Sequence, residues 1–202
     1  MKILKILCLL PLLLGCSKGQ GISLHPYTDK TASPARFTIC HGFSCTYQTD
    51  VSMPDQDWNN ITAIFSPPPN SAKEERKRIA KALALIETKV TTITKMTPDR
   101  GEAENFESDE DQMDCIDETI NTSQYLRFLE KDVQFKWHKT SDPIHRGYFI
   151  DGMWPHNSAT LREIKTDDIY ALDTYFFDSG KTPPIVYRDL WLDEWKPETL
   201  KQ

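Results

Sequence analysis

The chain has 202 residues, 27% of them charged, with a formal net charge of −6 and a pI near 5.4. An acidic chain of this kind carries no electrostatic footprint for a nucleic-acid backbone, so DNA and RNA are excluded as expected partners. The length suits one domain with its own hydrophobic core, and beyond the N-terminus no apolar run approaches the roughly 20 residues that span a bilayer.

Lys2 and Lys5 open the chain, and an apolar run over residues 6–14 follows, interrupted by Pro11. A positive start, a short apolar core and a small-residue cleavage point read together as a secretory signal. The run ends in Leu13-Leu14-Gly15-Cys16. This resembles the lipobox of bacterial lipoproteins. The resemblance implies that residues 1–15 are removed and that Cys16 carries the lipid anchoring the chain to a membrane. Ser17 stands where aspartate would favour inner-membrane retention in enteric lipoproteins, which implies the outer membrane, facing the periplasm. Removing residues 1–15 takes away two lysines and no acid, leaving 187 residues and a net charge of about −8.

Residues 16–36 are polar and rich in Gly, Pro, Ser and Thr, and are expected to form a flexible lipidated tether with a root-mean-square reach of roughly 25 Å. A single globular domain is expected over residues 37–202. Cys40 and Cys45 stand five apart in Cys40-His41-Gly42-Phe43-Ser44-Cys45. In an oxidising compartment they read as a disulfide. A metal site using Cys40, His41 and Cys45 is the alternative, but no fourth ligand is obvious, and neither a metal nor another cofactor is expected. Cys8 lies in the signal, so Cys115 is left over as a buried or a reactive thiol.

Residues 61–65, Ile-Thr-Ala-Ile-Phe, suggest a strand, and Pro67-Pro68-Pro69 breaks the chain. Residues 71–92 form the clearest helix: Ser71 and Glu74 make a capping-box pattern, and Ile79, Leu83, Ile86 and Val90 recur at helical spacing. Pro98 ends that element. Residues 102–118 hold nine acids and no base, a solvated loop by its composition; the spacing does not fit an EF-hand. A second helix is expected over residues 114–130. Strand-like runs follow at residues 133–138, 145–150, 157–164 and 169–177, the last two joined by the polar turn Lys165-Thr166-Asp167-Asp168. An aromatic tail, residues 190–195, stops at Pro197. Helices followed by an antiparallel sheet indicate an α+β fold.

Cys115 falls at a predicted helix start, where unpaired N–H groups and the dipole favour a thiolate. A cysteine nucleophile needs a base and a group to orient it. His156 opens a predicted strand and Asp173 lies in the next. A turn centred on Thr166 and Asp167 places His156 opposite Phe177, so Asp173 shares its face but sits about four residues, roughly 13 Å, along the ladder. A bulge or a different turn is needed to join them.

The order Cys, His, Asp, with Asp114-Cys115-Ile116-Asp117 at the helix start and Pro155-His156-Asn157 through Leu172-Asp173 on the strand pair, is similar to that of the transglutaminase-like and papain-like cysteine enzymes. The resemblance spans roughly residues 71–180. It implies Cys115 as nucleophile, His156 as base, Asp173 as its orienter, Gln112 as a contributor to an oxyanion hole, and amide bonds of peptides or cell-wall material as substrate. This chain departs from that pattern in crowding Cys115 with Asp114, Asp117 and Glu118, which raise the thiol pKa. Without catalysis, Cys115 is a packed residue, His156 bonds backbone, and Asp173 pairs with Arg162 or Lys165. The aromatic cluster of Tyr175, Phe176, Phe177, Trp191 and Trp195 is expected in the core, with a binding groove as the alternative. A non-enzymatic lipoprotein that binds an envelope partner is the rival function.

Overall fold

The computed structural model describes residues 21–27, 29, 31–103, 109–148, 150 and 152–198. The expected signal, residues 1–15, and Cys16 lie outside the described residues. Strands β1 (Phe37–His41) and β2 (Tyr47–Val51) form an antiparallel hairpin. Strands β3 (His138–Arg146), β4 (His156–Glu163), β5 (Ile169–Leu172) and β6 (Ile185–Tyr187) make a second antiparallel sheet in the order β3-β4-β5-β6. With helices α1 (Asp55–Thr62), α2 (Ala72–Thr94), α3 (Cys115–Val133) and α4 (Arg188–Leu192), the fold is α+β.

Helix α2 forms where the periodicity predicts it. Ser71 caps its start by accepting from the Glu74 N–H at 3.2 Å, and Lys95 ends it in the left-handed conformation. The Glu74 carboxylate reaches back to the N–H of Asn70, one residue earlier than a capping box would have it. Ile79, Ala82, Leu83, Ile86 and Val90 are buried in the main core. Burying each of the larger side chains contributes about 1.5–3 kcal/mol.

Helix α3 runs through the middle. Its start is a true capping box: Asp114 accepts from the N–H groups of Ile116 and Asp117, and Asp117 accepts from the N–H of Asp114. Leu126 and Leu129 pack against Leu83 and Ile86 of α2 and Leu161 of β4 within one core. Its polar side chains serve the hairpin. Asn121 accepts from the Cys40 N–H and donates to the Cys40 carbonyl, each at 2.8 Å, while Gln124 donates to the Thr38 carbonyl. The edge of β1 that β2 leaves open is therefore satisfied by amide side chains instead of a further strand.

Residues 61–65 are not a strand. Ile61 lies in the last turn of α1, which ends at Thr62, and residues 63–65 continue as a 3-10 turn. Pro54 precedes the helix, Asp55 and Asp57 occupy its first turn at the positive end, and Ile61 and Phe65, four apart, are buried on one side. Five residues are too few to separate alternation from a helical face. The runs at 133–138 and 145–150 are also recast. Val133 ends α3, and a single strand covers His138–Arg146. Pro143 lies where its register shifts, between Ser141 and Ile144, as a residue without an N–H donor requires. Strand β5 stops at Leu172, before Phe177: the Asp173 N–H still reaches the Pro184 carbonyl, the next position of the β5–β6 register, but Pro184 has no N–H to return a bond.

Within residues 16–36, the expected tether, the described residues touch the folded body. Gly21 donates its N–H to the Pro143 carbonyl at 2.8 Å, Ala32 packs on the main core, and the Met53 N–H bonds the Pro34 carbonyl. Composition alone hides this, because the contacts are made by backbone groups and one small side chain.

Candidate active site

Cys115 is the first residue of α3, and the capping box that starts the helix fixes its position. The loop between β1 and β2 covers that helix start. Cys40 and Cys45 are joined as a disulfide, as the spacing predicts. The loop's Phe43, Ser44 and Cys45 all have positive φ, at 66°, 58° and 57°. In that conformation the N–H of Ser44 bonds Asp114 and the N–H of Cys45 bonds Asp117. The covalent loop thus holds the two acids flanking Cys115. The disulfide sulfurs lie near the Asp117 carboxylate, but a disulfide offers no thiolate to a metal.

His156 and Asp173 come together through the turn. Glu163 faces Asp168, so the loop holds residues 164–167, with the Asp167 N–H bonded to Glu163 and Asp167 at φ 64°. The register pairs Ala159 with Leu172 and Arg162 with Ile169. This shifts the ladder by two residues from a turn centred on Thr166 and Asp167. Asp173 then stands beside Ser158, a diagonal neighbour of His156 on the same face, and close enough to bond. His156 Nε2 and Asp173 Oδ2 lie 2.9 Å apart, and Asp173 is only 1% exposed. With Nε2 donating to the carboxylate, Nδ1 keeps the lone pair that a base needs. The alternative pairing of Asp173 with Arg162 is not formed: Arg162 bonds Asp167 instead.

An aromatic cage encloses the pair. Trp191 is fully buried, stacks on His156 with centroids 5.5 Å apart at 28°, and donates its indole N–H to the same Asp173 oxygen at 2.6 Å. Tyr175 and Phe176 flank the imidazole at 5.0 and 5.5 Å. Arg146 sits opposite His156 in the β3–β4 register, lays its guanidinium 4.4 Å above the Trp191 ring and donates to the Trp191 carbonyl. Of the aromatic cluster expected in the core, Phe176 and Trp191 are buried, Phe177 and Trp195 are half-buried, and Tyr175 lines both clefts; Trp191 in addition fixes the carboxylate of the pair.

Cys115, His156 and Asn157 line one cleft of about 260 Å³ with Ser44, Asp114, Trp154 and Tyr175. Cys115 and His156 share this cleft without a hydrogen bond between them. Burial pushes the Cys115 thiol up to about 12, and the charges of Asp114, Asp173 and Glu118 add to it; the backbone N–H of Asn157, directed at the sulfur, acts the other way. A second cleft of about 320 Å³ shares Trp154, His156 and Tyr175 and adds Glu102, Arg146, Glu194 and Lys196.

Gln112 is not brought to the cleft. It is wholly buried, its Nε2 donates to the Pro98 carbonyl, and its Oε1 accepts from the N–H and Nε of Arg100. Its amide holds the turn after α2, and the side chain is buried away from the cleft that Cys115 lines, so it is not placed to serve an oxyanion hole. Nearby, Asp99, Glu87 and Glu118 form a buried acidic group. Burial raises Asp99 to about 7 against the Met113 N–H, which bonds it at 2.6 Å. Burial and the neighbouring Asp99 raise Glu118 well above the carboxylate range, and Glu118 Oε2 has no hydrogen-bond partner.

Arg146 and the indole donor of Trp191 were invisible to sequence reasoning. Arg146 carries no motif, and Trp191 reads in the sequence as one member of an aromatic cluster, with nothing to single out its N–H. No protein-family model, curated protein or solved structure matches this chain, so what the site does has to be read from its geometry.

Proposed function

We propose that this chain is an envelope lipoprotein, anchored through Cys16 to the outer membrane and facing the periplasm, whose domain is a transglutaminase-like cysteine hydrolase or acyltransferase acting on amide bonds of peptides or cell-wall material. The observation that carries the catalytic part is the His156–Asp173 pair, 2.9 Å apart, buried beneath Trp191 and lining one cleft with a cysteine at the start of a helix. Cys115 attacks the carbonyl carbon, His156 takes the thiol proton and later gives it to the leaving amine, and Asp173 holds the imidazole. The N–H of Asn157, already aimed at the sulfur, supplies a positive partner for the thiolate.

The test is alkylation of Cys115 by iodoacetamide in the folded protein across neutral pH. Wild type should react at least tenfold faster than His156→Ala. Equal, slow rates in the two would sink the catalytic reading. One observation favours the rival, a binding module built on the same fold: the Cys115 thiol is held at about 12 by burial and acidic neighbours, with no hydrogen bond to His156.

A further inference from the structure

The chain reaches the folded body early. Gly21 bonds the Pro143 carbonyl, and a Cβ on Gly21 would lie 2.6 Å from the Pro143 carbonyl group, so the backbone lies flat against this point of β3. β3 is an edge of its sheet. Five peptide units separate Cys16 from Gly21, and they span at most about 18 Å when fully extended. A body of this size has a radius of gyration of roughly 16 Å and is therefore about 40 Å across. A lipid on Cys16 cannot present every face of such a body to the bilayer. It presents the faces around Pro143.

From Pro143 the strand continues to Arg146 and into the loop over residues 147–155, about 13 Å away at Gly147. There Gly147 has a φ of +74°, and the Trp154 carbonyl packs where its Cβ would be. Only glycine allows this contact, which brings Trp154 back beside the end of β3. This loop carries the two most exposed large hydrophobic side chains among the described residues, Ile150 at 90% and Trp154 at 69%. Trp154 also lines both clefts beside His156. Tryptophan is the side chain best suited to the headgroup level, with an apolar body and one polar N–H. With a mature charge near −8, the chain has little electrostatic attraction to acidic lipid, which leaves apolar contact as the means of attachment.

We propose that Trp154 and Ile150 rest in the interfacial zone of the bilayer, so that the Cys115 cleft opens at the membrane surface. The inference rests on lipidation of Cys16 and names where the substrate amide must lie: at the membrane face, within the tether's short reach, and not out in the periplasmic space.

The full lipidated chain, purified from membranes, is reconstituted in phosphatidylcholine vesicles with and without phosphatidylcholine brominated high on the acyl chain. Mass measurement of the N-terminal peptide first establishes the lipid on Cys16. Tryptophan emission should fall in the brominated vesicles, and Trp154→Phe should abolish that fall. Ile150→Asp, at a position too exposed to affect folding, should reduce it at least twofold in protein that keeps Trp154. An unlipidated N-terminal peptide would overturn the anchor and this inference with it. A lipidated peptide with no quenching, or with quenching that survives Trp154→Phe, would overturn the loop contact and leave the anchor standing.

Discussion

Asp99→Asn isolates the cost of the buried acidic group behind the site. Asp99 is 3% exposed, and its pKa moves from the ordinary 3.8 to about 7, chiefly because burial disfavours the charge. An acid raised by folding binds its proton more tightly in the native state. Its contribution is therefore neutral below the unfolded pKa, and stability is lost as pH rises from about 4 through about 7. The whole change corresponds to about 4 kcal/mol, of which about 2 to 3 kcal/mol falls between pH 5 and pH 8. Asp117 and Glu87, both raised to about 7 by burial, act in the same direction. Urea unfolding followed by tryptophan emission should show the wild type more stable at pH 5 than at pH 8. Asp99→Asn keeps an acceptor for the Met113 N–H and should shrink the pH 5 to pH 8 difference by about 2 kcal/mol. A wild type more stable at pH 8, or a variant with an unchanged difference, would refute the reasoning.

Two further outcomes can be checked. Trp191→Phe preserves a ring against His156 but deletes the N–H that bonds Asp173; it should cost about 1.5–3 kcal/mol, the range for a hydrogen bond to a charged group, read by urea denaturation at pH 7. Cys45→Ser opens the disulfide loop and should lower stability by about 2 kcal/mol, the loop-closure entropy of so short a ring, with wild type in reductant showing the same loss.

What could be read in the sequence was local. The α2 helix and the α3 start carry their caps and periodicity within a few residues, and the Cys40–Cys45 bridge closes across a loop too short to hide. The residues 61–65 failed because five residues fit a strand and a helical face alike, and only burial of Ile61 with Phe65 decides. The His156–Asp173 pair was legible as an order of residues but not as a contact. Its formation depends on which four residues make the turn, and a two-residue change in register moves Asp173 from beyond reach to 2.9 Å. Trp191 and Gln112 show the harder limit. Whether a polar atom serves the site or the scaffold depends on partners far along the chain, Asp173 for one and Pro98 and Arg100 for the other.

The four-residue turn between β4 and β5 also bears on the order of assembly. His156 and Asp173 belong to one hairpin, seventeen residues apart, and such hairpins form in about 1–10 µs. Cys115 belongs to a helix whose start is clasped by a loop about seventy residues earlier in the chain. Long-range closure of that kind is slower, because chain entropy is spent before the contact rewards it. The two halves of the site therefore close over different chain separations, seventeen residues for the imidazole and its carboxylate and about seventy for the helix start that carries the thiol. Pairing of Cys40 with Cys45 is favoured over pairing of either with Cys115 by their five-residue spacing.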